Sequence, residues 1–353
     1  MRWLIALITA AGLALPVEAG RVTFDTQSND PQTLIIYSST DTEHMLQLLK
    51  NFQHRHPNIR IDYHLMDTLD IQHRAISEMD GGKPTADLLL SSAMDLQIKL
   101  VNDGYAATHK SEKTETLPDW ANWRNQAFGF TYEPAVMIYN QALEPRLAEV
   151  TTRFELAQRL TFDVGYLRNR IVTYDPKRSG LGFLFGTHDA IQSEDFWYLA
   201  RSLGDMRVML ETNSAAMIDK VASGEALLAY NVLGSYARAR ARDNPDLGIT
   251  IPKDYCLVMS RTAVITRSAR NSQAAGLFID FLLSRAGQQL IASTSSLYSL
   301  RNDIQGQATA ARLRQEAQGP LIPIHLGPGL LVYLDRLKRQ EFLARWHRAM
   351  LRE

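Results

Sequence analysis

Leu34-Ile35-Ile36-Tyr37-Ser38-Ser39-Thr40, followed by Met45, Leu48, Leu49 and Phe52 at helical spacing and then by Ile59-Arg60-Ile61-Asp62-Tyr63, decides the fold. An unbroken apolar run closed by polar turn residues predicts a buried strand, and the i, i+3, i+4 recurrence predicts one face of a helix. Pro57 ends that helix, because its ring disfavours helical geometry at His56. Ile59 to Tyr63 predicts a second strand, Ile71 to Met79 a second helix, and Asp87 to Leu90 a third strand that stops at Ser91 and Ser92. The order is β-α-β-α-β. Continuous apolar strands alternating with helices imply a parallel sheet covered on both faces, and right-handed crossovers put every strand-to-helix turn along one edge.

A second set follows the same logic. Ile171 to Tyr174 predicts a strand, Asp175 to Ser179 a loop, and a helix opens at Gly180 or Leu181. A helix carrying Ile218, Val221 and Ala222 stops at Gly224, Ala226 to Tyr230 makes another strand, and the next helix holds Tyr236. Phe130 to Asn140 lies between the two sets and Tyr255 to Thr266 after the second, so both read as crossing strands. A long amphipathic helix from Gln273 to Ile291, with Ala274, Leu277, Phe278, Phe281 and Leu282 on one face, is expected to return to the first set. The fold class is therefore α/β: a two-lobed clamshell, each lobe a mainly parallel sheet flanked by helices, joined by two crossing strands. Residues 20–132 with 256–295 form lobe 1 and 138–255 form lobe 2, with 296–353 packing back on lobe 2. Gly329 to Glu353 reads as a helix, striped by Leu330, Leu334, Leu337, Phe342, Trp346 and Met350, with a solvated basic face. Ligands of open α/β sheets bind beyond the carboxyl ends of the strands, which here face the cleft.

Composition narrows the class. Lysine plus arginine and aspartate plus glutamate each total 38 in 353 residues, so the formal charge is zero and no nucleic-acid footprint is expected. With 45% hydrophobic and 22% charged residues the chain is an ordinary globular one. The single cysteine, Cys256, excludes an internal disulfide and a cysteine-rich metal cluster; it reads as a small buried hydrophobe. Arg2, the apolar run Trp3 to Leu15, Pro16 and the triplet Val17-Glu18-Ala19 read as a signal peptide over residues 1–19, cleaved before Gly20. The run is short for a bilayer span of roughly 20 residues, so the mature chain is expected in the periplasm.

The candidate ligand residues are polar groups at strand ends. Helix amino termini offer unpaired N–H groups and partial positive charge to an anion. Three such turns stand out: Ser38-Ser39-Thr40, Ser91-Ser92, and Lys177-Arg178-Ser179-Gly180. Serine and threonine at these places also cap helices, but three turns aimed at one cleft point to an oxyanion site with Arg178 as counter-charge. Asn231 and Tyr236 flank the last turn of the second set and complete the candidate list. Gly180, Gly182 and Gly186 do not make a dinucleotide fingerprint, because the preceding loop is too long for the tight first turn. Gly81-Gly82-Lys83 lacks the rest of a phosphate loop. Of His44, His54, His56, His64 and His73, the first two fall on one helix, His64 ends a strand and His73 lies on another helix, so they do not space as metal ligands. No nucleophile elbow or H-E-x-x-H helix is present, and no enzyme activity or cofactor is expected.

Ile35-Ile36-Tyr37-Ser38-Ser39, Ala86-Asp87-Leu88-Leu89 with Asp103-Gly104-Tyr105, Val221-Ala222-Ser223-Gly224-Glu225, and the stretch Ala274 to Gln288 resemble the periplasmic solute-binding proteins of ABC importers, in the iron(III)- and organic-anion-binding branch with the type II periplasmic-binding-protein fold. The resemblance spans about Thr33 to Arg301. It implies a receptor, read as a monomer, that closes on a small solute and presents it to an inner-membrane permease. A membrane sensor kinase is the alternative partner. Ferric-ion members pair adjacent tyrosines with a histidine and an acidic residue. Here Tyr236 is the one tyrosine retained, Thr40 or Asp41 stands at the histidine position and Asp67 at the acidic one. The Asp175 to Gly180 loop is similar to the anion-gripping segment of relatives that bind phosphorylated or carboxylated molecules. The implied ligand is a small organic anion, a phosphate ester, phosphonate or carboxylate; ferric ion, held by Asp67 and Tyr236, is the alternative.

Overall fold

The computed structural model describes residues 20–162 and 164–350, so the expected signal peptide lies outside the described residues. Two sheets form. The first runs Arg21–Phe24, Ile59–Leu65, Gln32–Ser38, Leu88–Ser91, Thr262–Ile265, Ala127–Gly129, Asn122–Trp123 across its width. Its apolar strands are parallel, with Ile36 between Tyr63 and Leu88; the outer pairings are antiparallel. The second runs Leu321–Pro323, Cys256–Met259, Glu133–Asn140, Leu228–Leu233, Ile171–Tyr174, Met209–Glu211, with Leu247–Thr250 also paired to Glu133–Asn140. Here too parallel strands, Leu228–Leu233, Ile171–Tyr174 and the edge strand Met209–Glu211, meet antiparallel neighbours, and Leu321–Pro323 at the other edge pairs parallel to Cys256–Met259.

Two crossings run directly from strand to strand, as Ala127–Gly129 continues into Glu133–Asn140 and as Cys256–Met259 continues into Thr262–Ile265, and the chain later returns to the second sheet as Leu321–Pro323. The second passage turns at Ser260 and Arg261, later than the expected boundary at Cys256, which itself belongs to the second sheet. The passages bond to each other: Phe130 N donates to Arg261 O at 3.0 Å and Arg261 N to Thr131 Oγ1 at 2.9 Å. Gly129 makes this approach possible, since a Cβ there would lie 2.5 Å from Ser260 Oγ.

Helix Thr42–Arg55 buries Met45, Leu48, Leu49 and Phe52 on the first sheet, and Phe52 meets Phe278 edge-on at 4.9 Å. The predicted helix from Gln273 to Ile291 is two helices, Ser272–Leu283 and Arg285–Thr294. Ser284 is extended at ψ 158° and its hydroxyl accepts from Gly287 N, so a residue read as helix interior caps a new helix instead. The strand expected at Ala226 to Tyr230 begins at Leu228 and runs on to Leu233, which places Asn231 inside it.

The C-terminal stretch divides into a 3-10 turn, Pro328–Leu334, and helix Arg336–Met350. Phe342 and Trp346 are buried against Phe183, Phe196 and Trp197, while Leu337 is 68% exposed and leaves the expected stripe. Leu326 N bonds Trp120 O and Leu330 joins the large core, so this segment touches the first lobe as well as the second. Cys256 is fully buried, and burial pushes its thiol up to about 12. Among the described residues no helix is long and apolar enough to cross a membrane.

Candidate functional site

Strand carboxyl ends from both sheets meet at a cavity of about 420 Å³. The helices that follow them point their amino termini inward. Asp41 and Asp67, the residues before helices Thr42–Arg55 and Thr68–Asp80, line it from the first lobe. Leu181 of helix Gly180–Gln192, Asn213 before Ser214–Ala222 and Leu233 before Gly234–Asp243 line it from the second. First-turn N–H groups have no carbonyl partner within their own helix, so converging amino termini make a positive, donor-rich lining.

Ser39, Ser92 and Tyr236, three of the candidate residues, line this cavity. Ser39 Oγ accepts from Ser92 N at 3.1 Å, and the two hydroxyls are 3.3 Å apart. One mutual bond uses one of two hydroxyl protons, which leaves the other to donate to a ligand. Tyr236 Oη accepts from Asp41 N at 3.0 Å, across the lobes, and its ring lies 4.3 Å from that of His44. Burial, outweighing the nearby Arg261 charge, pushes its phenol far up, so Tyr236 is a neutral hydroxyl. Burial likewise pushes His44 down, with Arg261 adding to the effect.

The other predicted residues do not line the cavity. Ser38 Oγ accepts from Thr40 N, Ser91 Oγ from Ala93 N and Thr40 Oγ1 from Arg261, so all three are buried in the wall with their hydroxyls engaged. Ser179 caps its helix by accepting from Gly182 N at 3.1 Å. Gly180 N donates to Thr68 Oγ1 at 3.0 Å, a second contact between the lobes, and a Cβ on Gly180 would lie within 3.0 Å of Leu96, Thr68 and Ala93. Arg178 is exposed; its charge reaches Asp67, whose carboxyl burial and the neighbouring Asp70 hold above the usual range. Asn231, at φ 63°, turns away from the cavity: its Nδ2 donates to Asp189 at 2.6 Å within a buried network of Tyr230, Tyr255 and Arg153.

Sequence reasoning missed Thr68, Thr212, Asn213 and Ser214, which line the cavity. Thr212-Asn213-Ser214 is a polar turn between a strand and a helix like the others, but Met209–Glu211 is too short, and Leu210 too exposed, to read as a strand. Asp41 and Asp67 were legible only as possible metal ligands. Both stand at N-cap positions yet accept no capping bond from their helices, which leaves their carboxylates for the cavity. Among the described residues no group of three or more His, Cys, Asp or Glu is placed to hold a metal ion.

Residues 47–313 match the family described as bacterial extracellular solute-binding protein. No curated protein matches the chain. Among solved structures, the substrate-binding protein of an ABC transporter from Agrobacterium tumefaciens is 37% identical, covers 95% of this chain and 100% of its own, and superposes with a TM-score of 0.90. Iron-bound HitA from Pseudomonas aeruginosa is 20% identical over 91% of this chain and 100% of its own, TM-score 0.69. AfuA from Actinobacillus pleuropneumoniae, a periplasmic binding protein with fructose-6-phosphate bound, is 16% identical over 90% of this chain and 98% of its own, TM-score 0.73. The two more distant likenesses establish the two-lobed fold.

Proposed function

The chain belongs to the bacterial extracellular solute-binding proteins, non-enzymatic receptors of ABC transporters, and from that premise we propose that its solute is a small organic anion that also carries hydroxyl groups, such as a sugar phosphate. The observation that carries the reading is the convergence of helix amino termini from both lobes on one cavity. Those termini, with the Ser39 and Ser92 hydroxyls, suit an acid group. Asp41 and Asp67 repel a bare anion on their side but accept from hydroxyls, which favours a phosphate ester or hydroxy acid over inorganic phosphate. Ligand donors would also relieve the partly buried Asp67 carboxylate. Both lobes line the cavity, so only the closed form makes every contact, and that difference in contact drives closure toward the permease-competent state.

A second reading has an observation of its own. Tyr236, Asp41 and Asp67 share the cavity and are hard oxygen donors suited to ferric ion. Burial raises the Tyr236 phenol, so ferric ion would have to displace its proton to bind it. Isothermal titration with sugar phosphates, phosphonates, hydroxy acids and ferric nitrilotriacetate separates the two. Saturable binding of a hydroxylated anion supports the proposal; ferric binding alone overturns it. Export follows from the same reading: intact mass of protein from the periplasm should correspond to a chain beginning at Gly20.

A further inference from the structure

Arg261 sits where the two passages between the lobes bond to each other, wholly buried at 1% exposure. Its Nε donates to Glu133 Oε1 at 2.7 Å, and Glu133, at 0% exposure, opens the strand Glu133–Asn140 at the end of the other passage. Nη1 donates to Thr40 Oγ1 at 2.7 Å, in the first-lobe turn that carries Ser39 and Asp41 to the cavity. The guanidinium also lies 5.1 Å from the ring centroid of Tyr236, on the second-lobe side. The carboxylate completes the square, since Glu133 Oε2 accepts from Ser235 Oγ at the start of the helix that carries Tyr236. One ion pair therefore touches both passages and both walls of the cavity.

Stability alone does not account for it, because a buried ion pair is often replaced by apolar residues at no loss of stability. Opening the clamshell moves the Thr40 turn away from Ser235 and Tyr236. Arg261 and Glu133 hold one on each side, so opening strips a hydrogen bond from a buried charge, which is costly. We propose that Arg261, paired with Glu133, is a positioning residue that couples the hinge to the ligand cavity and favours the closed arrangement of the Thr40 turn and Tyr236. The proposal rests on the two-lobed receptor fold and not on the identity of the anion.

The test is the ratio of closed to open protein, read as the distance between spin labels by pulsed electron–electron resonance. Labels on Lys50→Cys and Arg201→Cys, exposed on helices Thr42–Arg55 and Asp195–Asp205, report one lobe against the other, and buried Cys256 stays unlabelled. Arg261→Met is expected to lower the closed-to-open ratio at least fivefold without added ligand. Arg261→Lys, which keeps one bond to Glu133 and loses the fork to Thr40, is expected to lie between. Arg261→Met with Glu133→Leu removes both charges; its thermal midpoint is expected to recover toward the parent while the ratio stays low. An unchanged ratio in Arg261→Met, or a ratio restored along with the midpoint in the double variant, would overturn the proposal. Where Arg261→Met does not fold, the double variant alone decides. Failure to bind any anion would sink the ligand assignment and leave this measurement intact.

Discussion

Arg153 and Arg261 are both buried arginines held on buried carboxylates, and they differ in what lies around them. Arg153 reaches Asp189 at 3.1 Å, Tyr230 at 2.7 Å and the Tyr255 carbonyl at 2.7 Å, all on the second lobe. Tyr230 and Tyr255 both donate to Asp189, so the network closes on itself inside one lobe. For each arginine burial opposes the charge, and the facing carboxylate together with the neighbouring acidic and phenolic groups outweighs it. The chemistry is the same, but only Arg261 has partners that separate when the cleft opens. A buried ion pair is thus a staple inside a lobe and a coupling at a hinge, and position relative to the crossings decides which.

Arg153→Met leaves Asp189 buried and short of its counter-charge, and should lower unfolding stability by about 3–5 kcal/mol in urea titration while the closed-to-open ratio of the folded protein stays at the parent value. A shifted ratio would erase the distinction between staple and coupling. Asp95 sharpens the contrast as a buried carboxylate held by the Leu96 amide and not by an arginine in bonding contact. Burial raises its pKa from 3.8 to about 7, with Arg339 lowering it from a distance. From roughly pH 4 to 7 the unfolded carboxyl is ionised while the folded one keeps its proton, so stability falls as pH rises and the loss is complete above about 7. Three pKa units correspond to about 4 kcal/mol at most. Asp95→Asn should therefore add about 2 kcal/mol at pH 8 and flatten the slope between pH 5 and 8 in urea unfolding; an unchanged slope would refute the assignment.

Smaller effects belong to the cavity. Tyr236→Phe removes the acceptor of Asp41 N and one cross-lobe bond, and should weaken anion binding about tenfold by titration, a loss of about 1.4 kcal/mol, with little change in the thermal midpoint. Ser39→Ala removes one hydroxyl and should weaken binding about fivefold, or about 1 kcal/mol. Ser38→Ala, whose hydroxyl bonds into the wall and accepts from Thr40 N, should move affinity less than Ser39→Ala. The reverse order would mean that the two serines face opposite to the directions described.

The parallel centres of both sheets were legible because their strands are unbroken apolar runs between helical patterns, and the crossings because Phe130 to Asn140 and Tyr255 to Thr266 are extended, apolar stretches that lie between and after the two β-α sets. Arg21–Phe24 and Met209–Glu211 were not, since an edge strand of three or four residues buries little and leaves no period to read. The Ser-rich turns were read as a group, yet neighbours in a turn point different ways: Ser39 faces the cavity while Ser38 and Thr40 bond into the wall. Asn231 was misplaced by its left-handed backbone, at φ 63° beside a register shift in the strand, which turns it onto Asp189. Thr68 and Ser214 needed the tertiary fold, because each enters the cavity through a contact with an element distant in sequence.

The most direct measurement is a crystal structure of the protein loaded with the tightest-binding hydroxylated anion. The acid group is expected within hydrogen-bond distance of Ser39 or Ser92 and of first-turn amides from both lobes, with its hydroxyls on Asp41 and Asp67. An anion held instead on Arg178 outside the cavity, or a metal ion bridging Tyr236 to the two aspartates, would contradict the account.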